Sequence, residues 1–211
     1  MFRIRALVAT AVLAIGAVAP ASAQIVNDGG FEQHVVSGYA YTPTTSTWSF
    51  LGGSGLINGF FSAFNTPSPL SGQGNQVAFL QANARRGIGV ISTSIVLPTS
   101  GNYFLSFLNA GRSSGCCGGN TLFDVLLGGS QIGQFSSVTD EQWSSKGTQF
   151  YAAAGTYNLS FTTNTKLPGD NTTFFDNISV VTATPEPGSL VLLATGLFAV
   201  AGIAVRRKRN S

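Results

Sequence analysis

Residues 100–107, SGNYFLSF, decide the fold class, and residues 154–161, AGTYNLSF, nearly repeat them. In both stretches a glycine precedes a run that places Tyr, Leu and Phe at every second position. Alternate side chains of a β-strand point to the same face, so each run presents one apolar face, as a half-buried strand requires. The two stretches therefore predict two core strands.

Five further segments have the composition of strands, namely residues 76–81, 89–97, 121–127, 131–135 and 173–181. Between two of them, Gly128-Gly129-Ser130 predicts a hairpin turn. Only the two ends of the chain have helical character. Many short strands with glycine-rich connections predict an all-β domain, built as an antiparallel β-sandwich.

The N-terminal end has the features of an export signal. Arg3 and Arg5 precede the apolar residues 6–19, and Ala21-Ser22-Ala23 has the small-x-small pattern of a signal peptidase site. We expect a signal peptide over residues 1–23 and a mature chain that begins near Gln24. An uncleaved N-terminal anchor is the alternative.

The C-terminal end combines three features in a fixed order. Pro185-Glu186-Pro187 is followed by an uncharged run, residues 190–205, and then by the basic cluster at residues 206–209. As a helix the run would span roughly 24 Å, slightly less than a bilayer core, so a buried core helix is possible on length alone. The basic cluster favours a transmembrane helix over residues 189–205 with a cytoplasmic tail at 206–211.

These three features resemble the PEP-CTERM sorting signal of bacterial surface and biofilm proteins, which Pro185, Glu186 and Pro187 match residue for residue. The resemblance implies a protein that is exported, anchored in the membrane by the C-terminal helix, and then processed by an exosortase-type membrane peptidase. Its destination would be the cell surface or the extracellular space. Residues 24–182 would form the β-sandwich domain, and residues 183–188 the linker.

The region between the two ends is mildly acidic. It holds five cations and seven carboxylates, a formal charge of −2: Arg85, Arg86, Arg112, Lys146 and Lys166 against Asp28, Glu32, Asp124, Asp140, Glu141, Asp170 and Asp176. The basic balance of the whole chain comes from its two ends. Nucleic-acid binding through a basic surface is therefore not expected.

Three motifs in this region resemble the galactose-binding-like jelly rolls of carbohydrate-binding modules. They are the opening residues 27–32 (NDGGFE), the Gly-x-Tyr-x-Leu-x-Phe strand, and the closing residues 175–180 (FDNISV). The resemblance implies a jelly roll and a possible structural calcium ion held by residues near both chain ends. Asp176 and Glu32 would be its ligands, with Asn27 or Asp28 as further candidates.

Asp176 is the residue on which the calcium hypothesis depends. By strand alternation it shares a face with Phe174, Ile178 and Val180, which directs a carboxylate toward the apolar side. A buried carboxylate needs a partner, and calcium prefers oxygen ligands. The alternative is that Asp176 accepts backbone hydrogen bonds at the strand end or faces water.

Aromatic and basic side chains are the candidates for carbohydrate binding. Trp48 and Trp143 are potential stacking surfaces for a sugar ring. Arg85 and Arg112 could donate hydrogen bonds to sugar hydroxyls or anionic groups. The alternatives are that the tryptophans pack in the core and the arginines are solvated loop charges.

Cys116 and Cys117 are adjacent and are the only cysteines of the chain. In an oxidising compartment they could close a vicinal disulfide within a glycine-rich loop. Free thiols or intermolecular bridges are the competing interpretations.

No catalytic arrangement is evident. His34 is the sole histidine from which a catalytic triad could be built. For Asp124, Asp140 and Glu141, solvated acids in turns are a more favoured interpretation than a glycosidase carboxylate pair. We therefore expect no enzyme but an exported cell-surface or extracellular-matrix protein that binds carbohydrate. A structural biofilm-matrix protein without a specific ligand is the alternative, and a polysaccharide-active enzyme is the less favoured third.

Overall fold

The computed structural model describes residues 25–58, 74–83, 85–113, 119–164 and 171–183 of the 211-residue chain. Residues 22–183 form one compact unit. The signal peptide and the C-terminal helix predicted from the sequence lie outside the described residues. The described residues form twelve strands: β1 (Tyr39–Tyr41), β2 (Ser49–Leu51), β3 (Ser54–Asn58), β4 (Gln76–Asn83), β5 (Gly87–Ile88), β6 (Val90–Leu97), β7 (Gly101–Gly111), β8 (Thr121–Leu127), β9 (Ser130–Ser137), β10 (Ser144–Ala152), β11 (Gly155–Thr163) and β12 (Thr172–Thr182).

The strands form two antiparallel sheets. The larger sheet has the order β1-β3-β4-β12-β7-β10, with β5 paired to β4, and the smaller sheet has the order β2-β6-β11-β8-β9. The predicted all-β sandwich is confirmed. All seven predicted strand segments are strands, and the β8–β9 hairpin turns through Gly128 and Gly129, which both have a positive φ.

The two near-repeated stretches occupy different sheets. β7 pairs with β12 and β10 in the larger sheet, whereas β11 pairs with β6 and β8 in the smaller one. Tyr103, Leu105 and Phe107 on β7 are buried, as are Leu159 and Phe161 on β11. The period-two pattern in each stretch thus supplies one face of the space between the sheets.

Five phenylalanines, which we call the phenylalanine layer, join the two sheets: Phe107, Phe123, Phe135, Phe161 and Phe175. The Phe107 ring lies 5.2–6.1 Å, centroid to centroid, from the rings of the other four. These four pairs are T-shaped or tilted, the arrangements that aromatic quadrupoles favour. Full burial of a phenylalanine contributes roughly 1.5–3 kcal/mol, and all of these except the partly buried Phe135 are fully buried, so the layer is a main source of cohesion between the sheets.

The opposite face of the larger sheet carries a second apolar group, the outer cluster: Ile57, Val77, Phe79, Ala110 and Phe174. These side chains alternate along their strands with residues of the inter-sheet core, such as Leu56, Ala78, Leu80 and Phe175. Tyr41 and Trp143 pack against the cluster as partly buried neighbours. The larger sheet is therefore apolar on both faces.

The alternation predicted for the last strand is interrupted. The register of β12 against β7 shifts between Asp176 and Ser179, and Asn177 has a φ of 49°. As a result Phe174 belongs to the outer cluster, while Ile178 and Val180 belong to the inter-sheet core. The single face predicted for these residues was wrong because a β-bulge inserts one extra residue.

Candidate functional site

One end of the sandwich, which we call the loop end, carries three of the four residues predicted to bind carbohydrate. At this end β4 and β7 finish, and β12 and β10 begin, as the pairs Gln81–Thr172, Thr173–Gly111 and Asn109–Ser144 show. The β4–β5, β7–β8, β9–β10 and β11–β12 connections therefore leave the strands at the same end. They carry Arg85, Arg112 and Trp143.

Trp143 directly precedes β10 at the loop end. It is partly buried, and its side chain packs against the outer cluster. Because Ser144 pairs with Asn109, Trp143 lies next to Ala110 of that cluster. The side chain is therefore anchored on the sandwich, and the residue as a whole is only partly buried.

Arg112 lies at the loop end, directly after β7, and only 3% of it is exposed. Its backbone N–H donates to the carbonyl of Thr172, 3.1 Å away, and its carbonyl accepts from the N–H of Asp140 at 3.0 Å. These bonds fix the backbone between β12 and the β9–β10 turn. Arg112 is therefore buried and is not the solvated loop charge of the alternative, and this burial also leaves its side chain little access to a sugar.

A polar row extends from Thr172 across the larger sheet. Gln81 Nε2 donates to Thr172 Oγ1, and Tyr41 Oη donates to Gln81 Oε1, both at 2.7 Å. Gln81 and Thr172 are fully buried. The row links Tyr41, on an edge of the sheet, to the strand that neighbours Arg112.

Arg85 is exposed in the β4–β5 turn. The next residue, Arg86, places its guanidinium carbon 3.6 Å from the centroid of the Tyr41 ring, a cation–π contact. Tyr41 also contacts Phe79 edge to face at 4.9 Å. Sequence reasoning missed Tyr41, although the alternation in Tyr39-Ala40-Tyr41 could have marked it as a strand aromatic.

Trp48 does not lie at the loop end with the other candidates. It is 3% exposed, its ring packs against Phe31 at 4.9 Å, and its Nε1 donates to the Asp28 carbonyl at 2.8 Å. Trp48 lies two positions before Phe50 of β2, which is also buried, so strand alternation turns both side chains toward the core. This burial leaves no face of the indole for stacking against a sugar.

Glu32 and Asp176 form a pair of neighbouring carboxylates. Glu32 Oε1 accepts from the backbone N–H groups of Asn75 and Gln76 at 2.7 and 2.8 Å. Asp176 is 3% exposed, and its Oδ1 accepts from the N–H of Asn177 at 2.7 Å. Burial raises the pKa of Asp176 to about 7; the Asn177 N–H opposes that shift, and the negative charge of Glu32 adds to it.

Asn27 and Asp28 are engaged elsewhere. Asn27 Oδ1 accepts from Gln33 Nε2 at 3.2 Å. Asp28 Oδ1 accepts from the N–H of Glu32 at 2.8 Å, and Asp28 Oδ2 accepts from Thr47 Oγ1 at 3.2 Å. The described residues hold no group of three or more His, Cys, Asp or Glu side chains suited to a metal. The calcium site at Glu32 and Asp176 stays a prediction.

Two further acidic candidates, Glu141 and Asp124, contact neighbouring protein groups. Glu141 Oε1 forms an ion pair with Lys146 Nζ at 2.8 Å, and Glu141 Oε2 accepts from the N–H of Val138 at 3.0 Å. Asp124 Oδ1 accepts from the side-chain amides of Gln131 and Gln134. These contacts stabilise the β9–β10 turn and the β8–β9 hairpin.

The sorting residues Pro185, Glu186 and Pro187 and the cysteines Cys116 and Cys117 lie outside the described residues. The vicinal disulfide stays a prediction. Within the ranges that the structure describes between residues 25 and 183, no helix has the length and apolar character needed to cross a membrane.

Residues 183–209 match the family model of the PEP-CTERM protein-sorting motif. The sorting signal inferred from Pro185, Glu186 and Pro187 is confirmed. No curated protein sequence matches the chain.

Many solved structures are similar to the chain in fold. One is an arabinose-bound α-L-arabinofuranosidase, MgGH51, with a TM-score of 0.52 and 15% identity, covering 77% of this chain and 27% of that one. Another is the module TmCBM61 in complex with β-1,4-galactotriose, with a TM-score of 0.48 and 16% identity, covering 76% and 99%. A third is the carbohydrate-binding module CBM36 in complex with calcium and xylotriose, with a TM-score of 0.37 and 20% identity, covering 49% and 78%.

The similar structures thus include carbohydrate-binding modules and a domain-sized part of a glycoside hydrolase. This chain spans about a quarter of the arabinofuranosidase that it matches. At these identities the likeness concerns the fold, which is the jelly-roll sandwich expected from the sequence.

Proposed function

We propose that this protein is an exported, non-catalytic module that binds carbohydrate through its loop end. The partly buried Trp143 carries this proposal, because it is anchored on the outer cluster at the end of the sandwich where the exposed Arg85 also lies. An aromatic face with nearby hydrogen-bond donors is the combination by which proteins hold sugar rings. The sorting motif supports a location where extracellular polysaccharide is the partner.

The test is a glycan-array assay on purified residues 24–183, followed by titration with the glycan that binds best. We expect Trp143→Ala to abolish or strongly weaken binding while the far-ultraviolet circular dichroism spectrum is retained. The matched control is Tyr151→Ala, which removes an aromatic side chain that is 70% exposed near the opposite end of β10. Equal binding by the Trp143→Ala variant and the parent would contradict the loop-end site.

The buried Trp48 favours the second candidate function, a matrix protein without a specific ligand, because that function requires no exposed tryptophan. Its distinguishing result in the same assay is a folded domain that binds no glycan. In that case we would assign the protein a structural role in the extracellular matrix.

We further propose that Glu32 and Asp176 hold a structural calcium ion. Two carboxylates that repel each other, one of them buried, suit a divalent cation that supplies the missing positive charge. A bound ion would connect the N-terminal segment, through Glu32, to the central strand β12, through Asp176. The backbone approaches closely here, since a Cβ on Gly74 would lie 2.2 Å from Glu32 Oε1.

Calcium binding is tested by thermal unfolding of residues 24–183 with calcium and with a chelator. We expect calcium to raise the Tm of the parent and to leave the Tm of Asp176→Asn unchanged, since binding to the folded state alone stabilises it. Asp124→Asn, which alters a carboxylate on another strand, should keep the calcium response. A parent Tm that does not respond to calcium would refute the site.

The tail calls for a separate test in the producing cell. We propose that an exosortase-type peptidase removes the membrane anchor near Pro185-Glu186-Pro187, after a signal peptidase has removed residues 1–23. Mass spectrometry of the released protein should find a C-terminus near this motif. A released chain that still ends at Ser211 would contradict the processing.

A further inference from the structure

A buried polar layer lies between the phenylalanine layer and the loop end. Each phenylalanine of that layer has, two positions along its strand toward the loop end, a small polar residue on the same inner face. These residues are Asn109, Thr121, Ser137, Thr163 and Thr173, and each is at most 1% exposed. On these five strands the core therefore changes from aromatic to polar over two positions.

Part of the polar layer is satisfied by protein groups. Asn109 Nδ2 donates to Thr173 Oγ1 at 2.7 Å and to the Phe174 carbonyl at 2.9 Å. Thr163 Oγ1 accepts from the N–H of Gly89 at 3.2 Å. The Asn109 amide is oriented by these bonds, because only its nitrogen can donate to the Phe174 carbonyl.

Three oxygen atoms of the polar layer are not accounted for by these hydrogen bonds. Asn109 Oδ1, Thr121 Oγ1 and Ser137 Oγ are buried and have no hydrogen-bond partner within the part of the chain that the structure describes. Thr121 and Ser137 are directly opposite each other in the β8–β9 register, so their hydroxyls are neighbours on one face. Buried polar atoms nearly always have a partner, since leaving them without one is costly.

The third atom comes from the facing sheet. Two positions farther from the loop end, the Phe107 ring lies 6.1 Å from the Phe123 ring and 5.2 Å from the Phe135 ring, centroid to centroid. Asn109 follows Phe107 by two positions, and Thr121 and Ser137 occupy the matching positions beside Phe123 and Phe135. The Asn109 oxygen is therefore placed to face the pair of hydroxyls across the sandwich.

We propose that a structural water molecule binds between Asn109, Thr121 and Ser137. The hydrogen bonds balance for one molecule: water donates to Asn109 Oδ1 and to one hydroxyl oxygen, and accepts from the other hydroxyl. Three bonds is the usual number for a buried water. This water bridges the two sheets beneath the loop end, where the phenylalanine layer no longer joins them.

The test uses residues 24–183, a compact unit that supplies all the residues of both core clusters. Magnetic relaxation dispersion of solvent deuterons or oxygen-17 counts the long-lived waters of the parent and of the Thr121→Val/Ser137→Ala double variant. We expect one fewer long-lived water in the variant and a Tm lower by about 2–4 °C. The control is Thr93→Val, which removes a buried hydroxyl that already donates to the Thr47 carbonyl and should leave the water count unchanged.

An unchanged water count in the double variant would overturn the proposal. If the double variant does not fold, a high-resolution crystal structure of the parent decides the question. Electron density for a water within hydrogen-bond distance of Asn109 Oδ1, Thr121 Oγ1 and Ser137 Oγ would support the site, and a dry contact would overturn it.

Discussion

Asp176 illustrates, at the scale of one residue, how position changes the chemistry of an ordinary side chain. Loss of hydration on burial and the nearby Glu32 carboxylate both disfavour its charged form, so its pKa is raised to about 7. In the unfolded chain the same group has its ordinary value near 3.8. The folded protein therefore retains a proton on Asp176 at a pH where the unfolded chain has lost it.

This difference predicts a pH-dependent stability of the metal-free domain. Because the folded state binds more protons between pH 4 and pH 7, the free energy of unfolding should fall as the pH rises through this range, by at most about 4 kcal/mol. Urea unfolding in chelator from pH 4 to pH 8 measures it. Asp176→Asn should flatten this part of the profile and be more stable than the parent at pH 8.

Asp124→Asn is the comparison for that experiment, since Asp124 accepts hydrogen bonds from Gln131 and Gln134 far along the chain from Glu32. Its profile should keep the slope of the parent. If Asp176→Asn keeps the same slope too, another group is responsible for the pH dependence.

At the scale of the element, β12 depends on the bulge at Asn177. A φ of 49° is the left-handed region, which asparagine and glycine adopt far more readily than β-branched residues. We expect Asn177→Gly to be tolerated and Asn177→Val to lower the free energy of unfolding by about 1–2 kcal/mol. Chemical denaturation of the three proteins measures the difference.

Asn158 provides the matched control on β11. Its side chain is exposed like that of Asn177, but it lies in an uninterrupted strand. Asn158→Val should be neutral or slightly stabilising, because β-branched residues suit a regular strand. Equal losses at both positions would mean that the left-handed backbone is not the cause.

The sequence predicted β7 and β8 because their apolar residues alternate without interruption. β10 was missed because Lys146, Gly147 and Gln149 break its pattern, and an edge strand needs less apolar surface. β1, β2 and β5 are three residues long or shorter, so periodicity cannot reveal them. The bulge in β12 was not predicted, because its one trace in the sequence is an asparagine within a strand.

The candidate site was predictable only in part. Trp48 and Trp143 are equivalent by composition, and their different burial follows from tertiary partners, Phe31 for one and the outer cluster for the other. Tyr41 acquires its role from Gln81, forty residues away along the chain. Local patterns carry no information on contacts at such separations.

At the scale of the whole molecule, the two apolar clusters lie on opposite faces of the same sheet. Strands β3, β4, β7 and β12 contribute to both, so one cluster cannot come apart without disturbing the other. The domain should therefore unfold in a single cooperative transition. Its two tryptophans report on the two clusters separately, since Trp48 belongs to the inter-sheet core and Trp143 packs on the outer cluster.

Single-tryptophan variants test this cooperativity. Trp143→Phe leaves Trp48 as the fluorescent probe, and Trp48→Phe leaves Trp143. Within each variant, the fluorescence and circular dichroism transitions in urea should coincide. In either background, Phe107→Ala should lower the free energy of unfolding by about 3–5 kcal/mol. A Trp143 signal that changes at lower urea than the circular dichroism would show that the outer cluster unfolds independently.

The place of β12 in the larger sheet also sets the order of events during biosynthesis. This strand lies between β4 and β7 in the sheet. A chain that is synthesised from its N-terminus therefore cannot complete that sheet until residue 182 has left the ribosome. Until then β4 and β7 lack the strand that pairs with both of them. The sorting motif begins at the next residue, 183, so the sheet is completed only as the sorting motif itself emerges.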